Sequence, residues 1–286
     1  MAIKHILAPV SGDRDAAHVA LCALKLAEEL KAHMTATNIP LSTTPALIPE
    51  AAISPAVYAE LRKTLDDANV QRSARARRFF DNAVALTKTP IADTPVCARA
   101  STTWVDLSAL DDSRIATLAQ MADLLVVDRP GDAKAFVEME TFEDGVFSAK
   151  RPVLMVPSNT KEIVCDNIAV AWNGSREAAE AVRCAMDLIS PGVKITIIQV
   201  GEIRGAHISA DTLTDYLGWH CHAPILRKVT DKPKATADVL LAEAKAAGAQ
   251  LLVAGAYSHS RTRELLLGGV TRQFLAHADL PLLMAH

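Results

Sequence analysis

The chain has 286 residues, half of them hydrophobic, and a formal net charge of −3 that arises from 30 Lys and Arg against 33 Asp and Glu. This near balance of charge argues against a nucleic-acid partner. No apolar run approaches the ~20 residues of a membrane span, and the apolar start at residues 1–10 is too short for the hydrophobic region of a signal peptide. We therefore expect a cytoplasmic protein of two domains with no membrane partner.

The N-terminal half opens with a predicted β-strand within residues 1–10. The proline-rich segment 39–55 predicts an extended loop, for which a lid, a dimer contact and simple excess length are all open interpretations. A long helix is predicted from about residue 56 to 86, with one apolar stripe made of Val57, Leu61, Leu65 and Ala68.

The second half of this long helix carries a basic face. The residues that form it are Arg72, Arg75, Arg77 and Arg78. We expect a solvated face or surface ion pairs, and an anion or partner contact is the alternative.

Strands and helices alternate along the C-terminal half. The sequence predicts strands at 167–172, 194–200, 224–229, 250–256 and 281–285. It predicts helices at 176–189, 210–220, 236–247 and from about 269 to 277. The polar turn 173–175 and Ser209 are expected to cap the first two of these helices, and Gly248 to end the third.

The two halves are similar in sequence. Residues 15–26 align without gaps on residues 177–188, and five positions are identical. Each half also closes alike, at 151–155 and at 280–284. We therefore divide the chain into domains at 1–157 and 162–286, joined by a short linker.

Alternation of strands and helices implies right-handed βαβ crossovers and a parallel sheet with helices on both faces. The strands are near-continuous apolar runs, as expected where both faces are covered. The predicted fold class is therefore α/β, with an open parallel five-stranded sheet flanked by helices in each half.

The five cysteines form no C-x-x-C pair and are unevenly spaced. Cys22 and Cys184 lie among apolar neighbours on predicted helices, where cysteine behaves as a small core residue. We expect free thiols and a reducing compartment.

Ligands of such sheets bind beyond the carboxyl ends of the strands, at the switch in strand order. In the C-terminal half the two loops expected there are residues 172–175 and residues 255–271. Gly255 is expected to leave its strand at unusual dihedrals. Gly268 and Gly269 precede a helix, so their amides and those of Val270 and Thr271 lie at the positive end of its dipole.

Other side chains of the second loop could bring donors or charge to a phosphate, namely Ser258, His259, Arg261 and Arg263. A glycine-rich surface turn that merely caps a helix is the alternative to a phosphate site.

These residues resemble the nucleotide loop of the universal stress protein family, which has the form G-x-x-G, nine residues, G-[S/T]. Gly255 and Gly268 match the first and third glycines, Ser258 stands in the place of the second, and Gly269 stands where Ser or Thr is usual. The resemblance covers nearly the whole chain and is to the tandem, two-domain type. The fold it implies is also similar to that of the adenine nucleotide alpha hydrolases.

The resemblance implies a non-enzymatic stress-response sensor or regulator that binds ATP or a related adenine nucleotide in its C-terminal half. The nucleotide-binding residues it implies are Trp172, Asn173, Val200, Gly255, Ser258, His259, Gly268, Gly269, Val270 and Thr271. Asn173, after the first strand, would lie beside ribose or phosphates, and Val200 beside adenine.

The family has an Asp where this chain has Asn173, and the lost charge puts magnesium binding in doubt. The N-terminal copy has Ser11 at that position and lacks a Gly-Gly pair before a helix, so its ligand loop is degenerate. In related proteins two such domains pair through their last strands. Here residues 152–156 and 281–285 would do so within one chain, as an intrachain pseudo-dimer, and a further homodimer is possible.

Three alternatives remain. One is an enzyme that slowly hydrolyses ATP. Against it, the segment at residues 10–15 matches the S-G-G-x-D-S loop of ATP pyrophosphatases poorly, and no catalytic residue can be assigned. A metal site formed by His220, Cys221 and His222, with His207 upstream, is another, and a helix end with partly buried side chains is the alternative to it. The third is an interaction scaffold that does not bind nucleotide.

Overall fold

In the computed structural model the residues described are 3–12, 16–41, 54–94, 96–107, 114–130, 136–203, 208–230, 235–256 and 269–286. Within those ranges, no helix has the length and apolar character that crossing a membrane requires.

Strands and helices alternate along both halves of the chain. The strands are β1 His5–Val10, β2 His33–Asn38, β3 Ser101–Val105, β4 Leu124–Asp128, β5 Val153–Val156, β6 Asn167–Ala171, β7 Lys194–Val200, β8 Ile225–Val229, β9 Leu251–Gly255 and β10 Leu282–Ala285. The helices are α1 Ala17–Leu30, α2 Pro55–Thr87, α3 Arg114–Ala119, α4 Phe136–Glu143, α5 Arg176–Ala185, α6 Ala210–Trp219, α7 Thr236–Ala246 and α8 Gly269–His277. A π-helical turn, Asp144–Ser148, continues α4.

All ten strands belong to one sheet, in the order β3-β2-β1-β4-β5-β10-β9-β6-β7-β8. Each half contributes five parallel strands in the same relative order, which confirms the predicted α/β class. The halves join where β5 and β10 run antiparallel, with Leu283 opposite Leu154. The expected pairing of the last strands is therefore present, and it merges the two expected sheets into one.

Helices cover both faces of the sheet and bury an aliphatic core on each. One face carries α1, α2, α5 and α6, with Leu24, Phe80 and Leu213 among its buried side chains. The other carries α3, α4, α7 and α8, with Phe142 and Phe274 beneath them. Because both faces are covered, β4 to β6 and β9 to β10 are buried along nearly their whole length, as their apolar sequences predict.

Helix α2 is far longer than the sheet it covers. Its 33 residues span about 50 Å, whereas the six residues of β1 span about 20 Å. Only the second part, at Ala76, Phe80 and Ala83, is buried. The predicted apolar stripe lies in the first part, where Val57 and Leu61 are 54% and 37% exposed, so the stripe is not a buried face.

One face of α1 holds the linker between the halves. His18 Nε2 lies 3.0 Å from the carbonyl oxygen of Val156, Cys22 Sγ donates to Thr160 O at 3.6 Å, and Lys25 Nζ lies 3.3 Å from Glu162. Positions 18, 22 and 25 are four and three residues apart and so share one side of the helix. The linker is therefore anchored along two turns of α1.

Several helix ends follow from single residues. The hydroxyl oxygens of Ser175 and Ser209 accept hydrogen bonds from the amides of Ala178 and Thr212, as expected for N-caps. Helix α5 stops at Ala185, four residues before the predicted end at 189. The chain tightens there into 3₁₀-type turns with hydrogen bonds to residue i−3, such as Leu188 N to Ala185 O at 2.9 Å, and these end the α-helix.

Candidate functional site

The carboxyl ends of β9, β6 and β7 meet at one edge of the C-terminal half. Strand β6 pairs with β7 on one side and β9 on the other, so the strand order switches between β6 and β9. The turn after β6 begins at Trp172, and β9 ends at Gly255. The two predicted loops therefore start on either side of the switch point, where open α/β sheets bind ligands.

Asn173 forms the turn after β6. Its Oδ1 accepts a hydrogen bond from Ser175 N at 3.1 Å, while Ser175 caps α5. Gly174 has a φ of +74°, a conformation that glycine adopts without strain. Asn173 is exposed at the edge of the sheet, and the turn it stabilises fixes the position of the α5 N-terminus.

Trp172 is part of the core. It is 3% exposed, and its indole Nε1 donates to Ile208 O at 3.2 Å. Ile208 N in turn donates to Gly174 O at 3.0 Å, so the segment before α6 lies against the turn. Trp172, one of the predicted site residues, thus supports the turn from within the core.

Gly255 allows α5 to approach the end of β9. A Cβ at this position would lie 2.5 Å from Ala178 N and 2.7 Å from Glu177 C. Its φ is not positive, so the expectation of unusual dihedrals is wrong, and close packing is the reason for glycine here. The amides of the first turn of α5 consequently lie beside the end of β9.

Helix α8 begins at Gly269. Gly269 and Val270 are exposed, whereas Thr271 is only 4% exposed and faces the core. Val200 is half-buried at the end of β7. The predicted residues Ser258, His259 and Gly268 lie outside the described residues.

The corresponding edge of the N-terminal half is filled by α2. Ser11, at the position of Asn173, is 1% exposed, and Arg72 Nη2 donates to its hydroxyl oxygen at 3.3 Å. A Cβ at Gly12 would lie 2.2 Å from the carbonyl oxygen of Arg72. The aligned turns of the two copies therefore differ: one is exposed and the other lies beneath a helix.

The basic face of α2 is used mainly within the chain. Besides the contact of Arg72, the Arg77 Nε lies 2.9 Å from Asp81 Oδ1, and its guanidinium carbon lies 5.5 Å from the centre of the Trp104 ring. The expected surface ion pair is thus present at Arg77, whereas Arg72 is half-buried.

The loop after β4 is also occupied by internal contacts. His18 Nε2 lies 3.1 Å from Asp128 Oδ1, and Arg129 donates to the carbonyl oxygen of Ala276 in the other half. Sequence reasoning missed both contacts because the partners are far apart along the chain and share no motif.

His220 and His222 lie at the end of α6, and His207 lies outside the described residues. Cys221 N donates to Gly218 O and His222 N donates to Leu217 O, both at 3.0 Å, and Cys221 has a φ of +64°. This is the Schellman arrangement of a helix end. The described residues contain no group of three His, Cys, Asp or Glu side chains arranged to hold a metal ion.

All five cysteines are free thiols, as expected. Burial raises the pKa of the Cys22 and Cys165 thiols to about 12 and that of Cys184 to about 11. Because the thiolate is the reactive form, these three thiols are unreactive near neutral pH.

Comparison with known proteins agrees with the fold. Residues 223–286 match the model of the universal stress protein family. Comparison with curated proteins finds no match.

Two solved structures share the architecture over nearly the whole chain. A universal stress protein from Archaeoglobus fulgidus DSM 4304 has a TM-score of 0.60 at 13% identity, covering 98% of this chain and 97% of that one. A functionally unknown protein from Pseudomonas aeruginosa PAO1 has a TM-score of 0.50 at 14% identity, covering 99% and 92%. At these identities the likeness shows the fold.

Proposed function

Because residues 223–286 carry the sequence of a universal stress protein domain, we propose that the chain acts in the stress response by binding ATP or a related adenine nucleotide in its C-terminal half. In this proposal it is a non-enzymatic sensor or regulator, and the nucleotide occupies the edge formed by β9, β6 and β7.

The observation that carries the proposal is the combination of two features at the switch point. Asn173 is exposed in the turn after β6, and the exposed residues Gly269 and Val270 begin α8, which follows β9 in the chain. Amides at a helix N-terminus favour phosphate through direct donation and the helix dipole. Gly255 adds to this by bringing the N-terminus of α5 against the same edge.

The N-terminal half is assigned a structural role. Ser11 and Gly12 lie under Arg72, and Asp128 and Arg129 contact His18 and Ala276. A nucleotide at that edge would have to displace α2. The proposal therefore places binding in the C-terminal half alone.

Substitution of Gly269 tests the position of the phosphates. No described atom lies within 4 Å of a Cβ built at Gly269, so the described residues leave room for a side chain there. Gly269→Asp places a negative charge where the phosphates are proposed, and we expect ATP binding to weaken by about tenfold or more. Gly269→Asn is the matched neutral control and is expected to bind within about twofold of the wild type. Isothermal titration with ATP measures both.

Two results would contradict the proposal. Absence of saturable binding at millimolar ATP removes nucleotide binding and leaves the scaffold alternative. Equal affinity of the Asp and Asn variants removes the phosphates from the α8 N-terminus. Release of inorganic phosphate or pyrophosphate from ATP under the same conditions would favour the enzyme alternative over a sensor.

A further inference from the structure

A cleft of about 360 Å³ lies between the ends of α5 and α6. This volume is within the range of small-molecule sites, at its lower end. One wall is apolar and consists of Met186, Ile189 and Pro191. The other is formed by Tyr216 and His220 of α6, whose rings are 4.8 Å apart.

His222 gives this cleft a buried polar group. His222 is 5% exposed, and its Nδ1 is buried without a hydrogen-bond partner among the described residues. In the Schellman turn at Cys221 the His222 backbone N donates to Leu217 O, which holds His222 at the end of α6. An unpartnered buried nitrogen is costly, so a ligand that hydrogen-bonds to this imidazole would recover free energy.

The charges at the rim disfavour an anion. Arg183 donates from Nε to Glu180 Oε2 at 3.0 Å and from Nη2 to Glu180 Oε1, so its charge is already paired. Asp187 adds a negative charge to the lining. The rim therefore disfavours an anionic ligand, and the apolar wall of Met186, Ile189 and Pro191 disfavours the desolvation of a cation, which leaves a neutral ligand.

We propose that the cleft between α5 and α6 binds a small neutral aromatic compound that carries a hydroxyl group. The ring packs between the Met186 wall and the Tyr216 and His220 rings, and the hydroxyl hydrogen-bonds to His222. Aromatic stacking and one hydrogen bond account for recognition.

This cleft is separate from the proposed nucleotide edge. Helix α5 starts at the carboxyl edge after β6 and ends at the cleft, so its ten residues separate the two sites by about 15 Å. The inference does not rest on nucleotide binding, and either site can fail without the other.

The test is a titration of protein labelled with ¹³C-methyl methionine, followed by NMR, with 2-naphthol as the probe. Met186 lines the cleft, whereas Met155 and Met284 are fully buried where β5 meets β10 and serve as internal controls. We expect saturable movement of the Met186 methyl signal alone. Naphthalene, which lacks the hydroxyl, is expected to bind about three- to tenfold more weakly. Its anionic analogue 2-naphthoate is also expected to bind more weakly than 2-naphthol.

Two variants locate the probe. Ile189→Trp fills the cleft and is expected to abolish the movement of the Met186 signal, while leaving the Met155 and Met284 signals unchanged. His222→Phe keeps a ring but removes the nitrogens, so 2-naphthol and naphthalene are expected to bind equally. The proposal is overturned if Met186 is unmoved up to the solubility limit of 2-naphthol, if Ile189→Trp binds normally, or if 2-naphthoate binds best. If His222→Phe does not fold, the comparison of the three probes on the wild type decides.

Discussion

At the scale of single residues, aligned positions serve different physical purposes in the two halves. Gly174 has a positive φ in the turn after β6, whereas its counterpart Gly12 leaves room for the backbone of Arg72. Asn173 stabilises a turn at the surface, and its counterpart Ser11 is buried. The same turn sequence thus supports an open edge in one copy and a filled edge in the other.

Gly255→Ala is expected to destabilise the protein by about 1–3 kcal/mol or more, because its Cβ would overlap backbone atoms that cannot move without shifting α5. Gly269→Ala is the matched control, since no described residue comes close to a Cβ at that position, and it is expected to leave stability within about 0.5 kcal/mol. Urea unfolding at equilibrium measures both. Equal midpoints for the two variants would show that close packing is not the reason for Gly255.

At the scale of elements, strand and helix order followed from the sequence because apolar runs and 3.6-residue periodicity reflect burial directly. The bounds of β7 and α8 agree with the prediction residue for residue. The apolar stripe on α2 is exposed, because periodicity does not show where a helix extends beyond the sheet that it covers. The burial of Trp172, the cover of Arg72 over Ser11 and the pairing of His18 with Asp128 depend on contacts between distant residues, which one sequence does not reveal.

The candidate site was foreseen only in part. The predicted strand order placed the loops at Asn173 and Gly255 at the strand switch, and in the structure the two loops start on either side of it. The predicted reason for Gly255 was wrong, because one sequence does not show that α5 packs against that residue. Ligand contacts of Val200, Val270 and Thr271 stay predictions.

The two parts of α2 are expected to respond differently to substitution. Phe80 is 1% exposed and packs against Trp104 at 5.4 Å, so Phe80→Ala should cost about 3–5 kcal/mol. Leu61→Ala, in the exposed part, should change stability by less than about 0.5 kcal/mol. Thermal unfolding of the two variants provides the check. A large loss at Leu61 would mean that the first part of α2 packs against something in solution.

At the scale of the whole molecule, the antiparallel pairing of β5 with β10 makes one sheet out of two halves. Leu154 and Leu283 are opposite one another there and are fully buried. The contacts of His18, Cys22 and Lys25 with the linker also hold the two halves together. The halves are therefore expected to unfold together.

Leu154→Ala tests this cooperativity. We expect a loss of about 2–5 kcal/mol, with one shared midpoint whether unfolding is followed near Trp104 in the N-terminal half or near Trp172 in the C-terminal half. Single-tryptophan versions of the protein allow the two signals to be read separately. Two distinct midpoints, of which only the one at Trp104 moves, would show that the halves are independent.

Residues 157–166 join the two halves covalently, from β5 to β6, and this joining also sets a stoichiometry. Two separate copies that met through their last strands would fall apart on dilution, whereas tethered copies stay paired at any concentration. The open edge and the helix-covered edge are thereby locked in a one-to-one ratio. A ligand of the open edge would therefore bind each chain once, and only more protein would raise the amount of ligand bound at saturation.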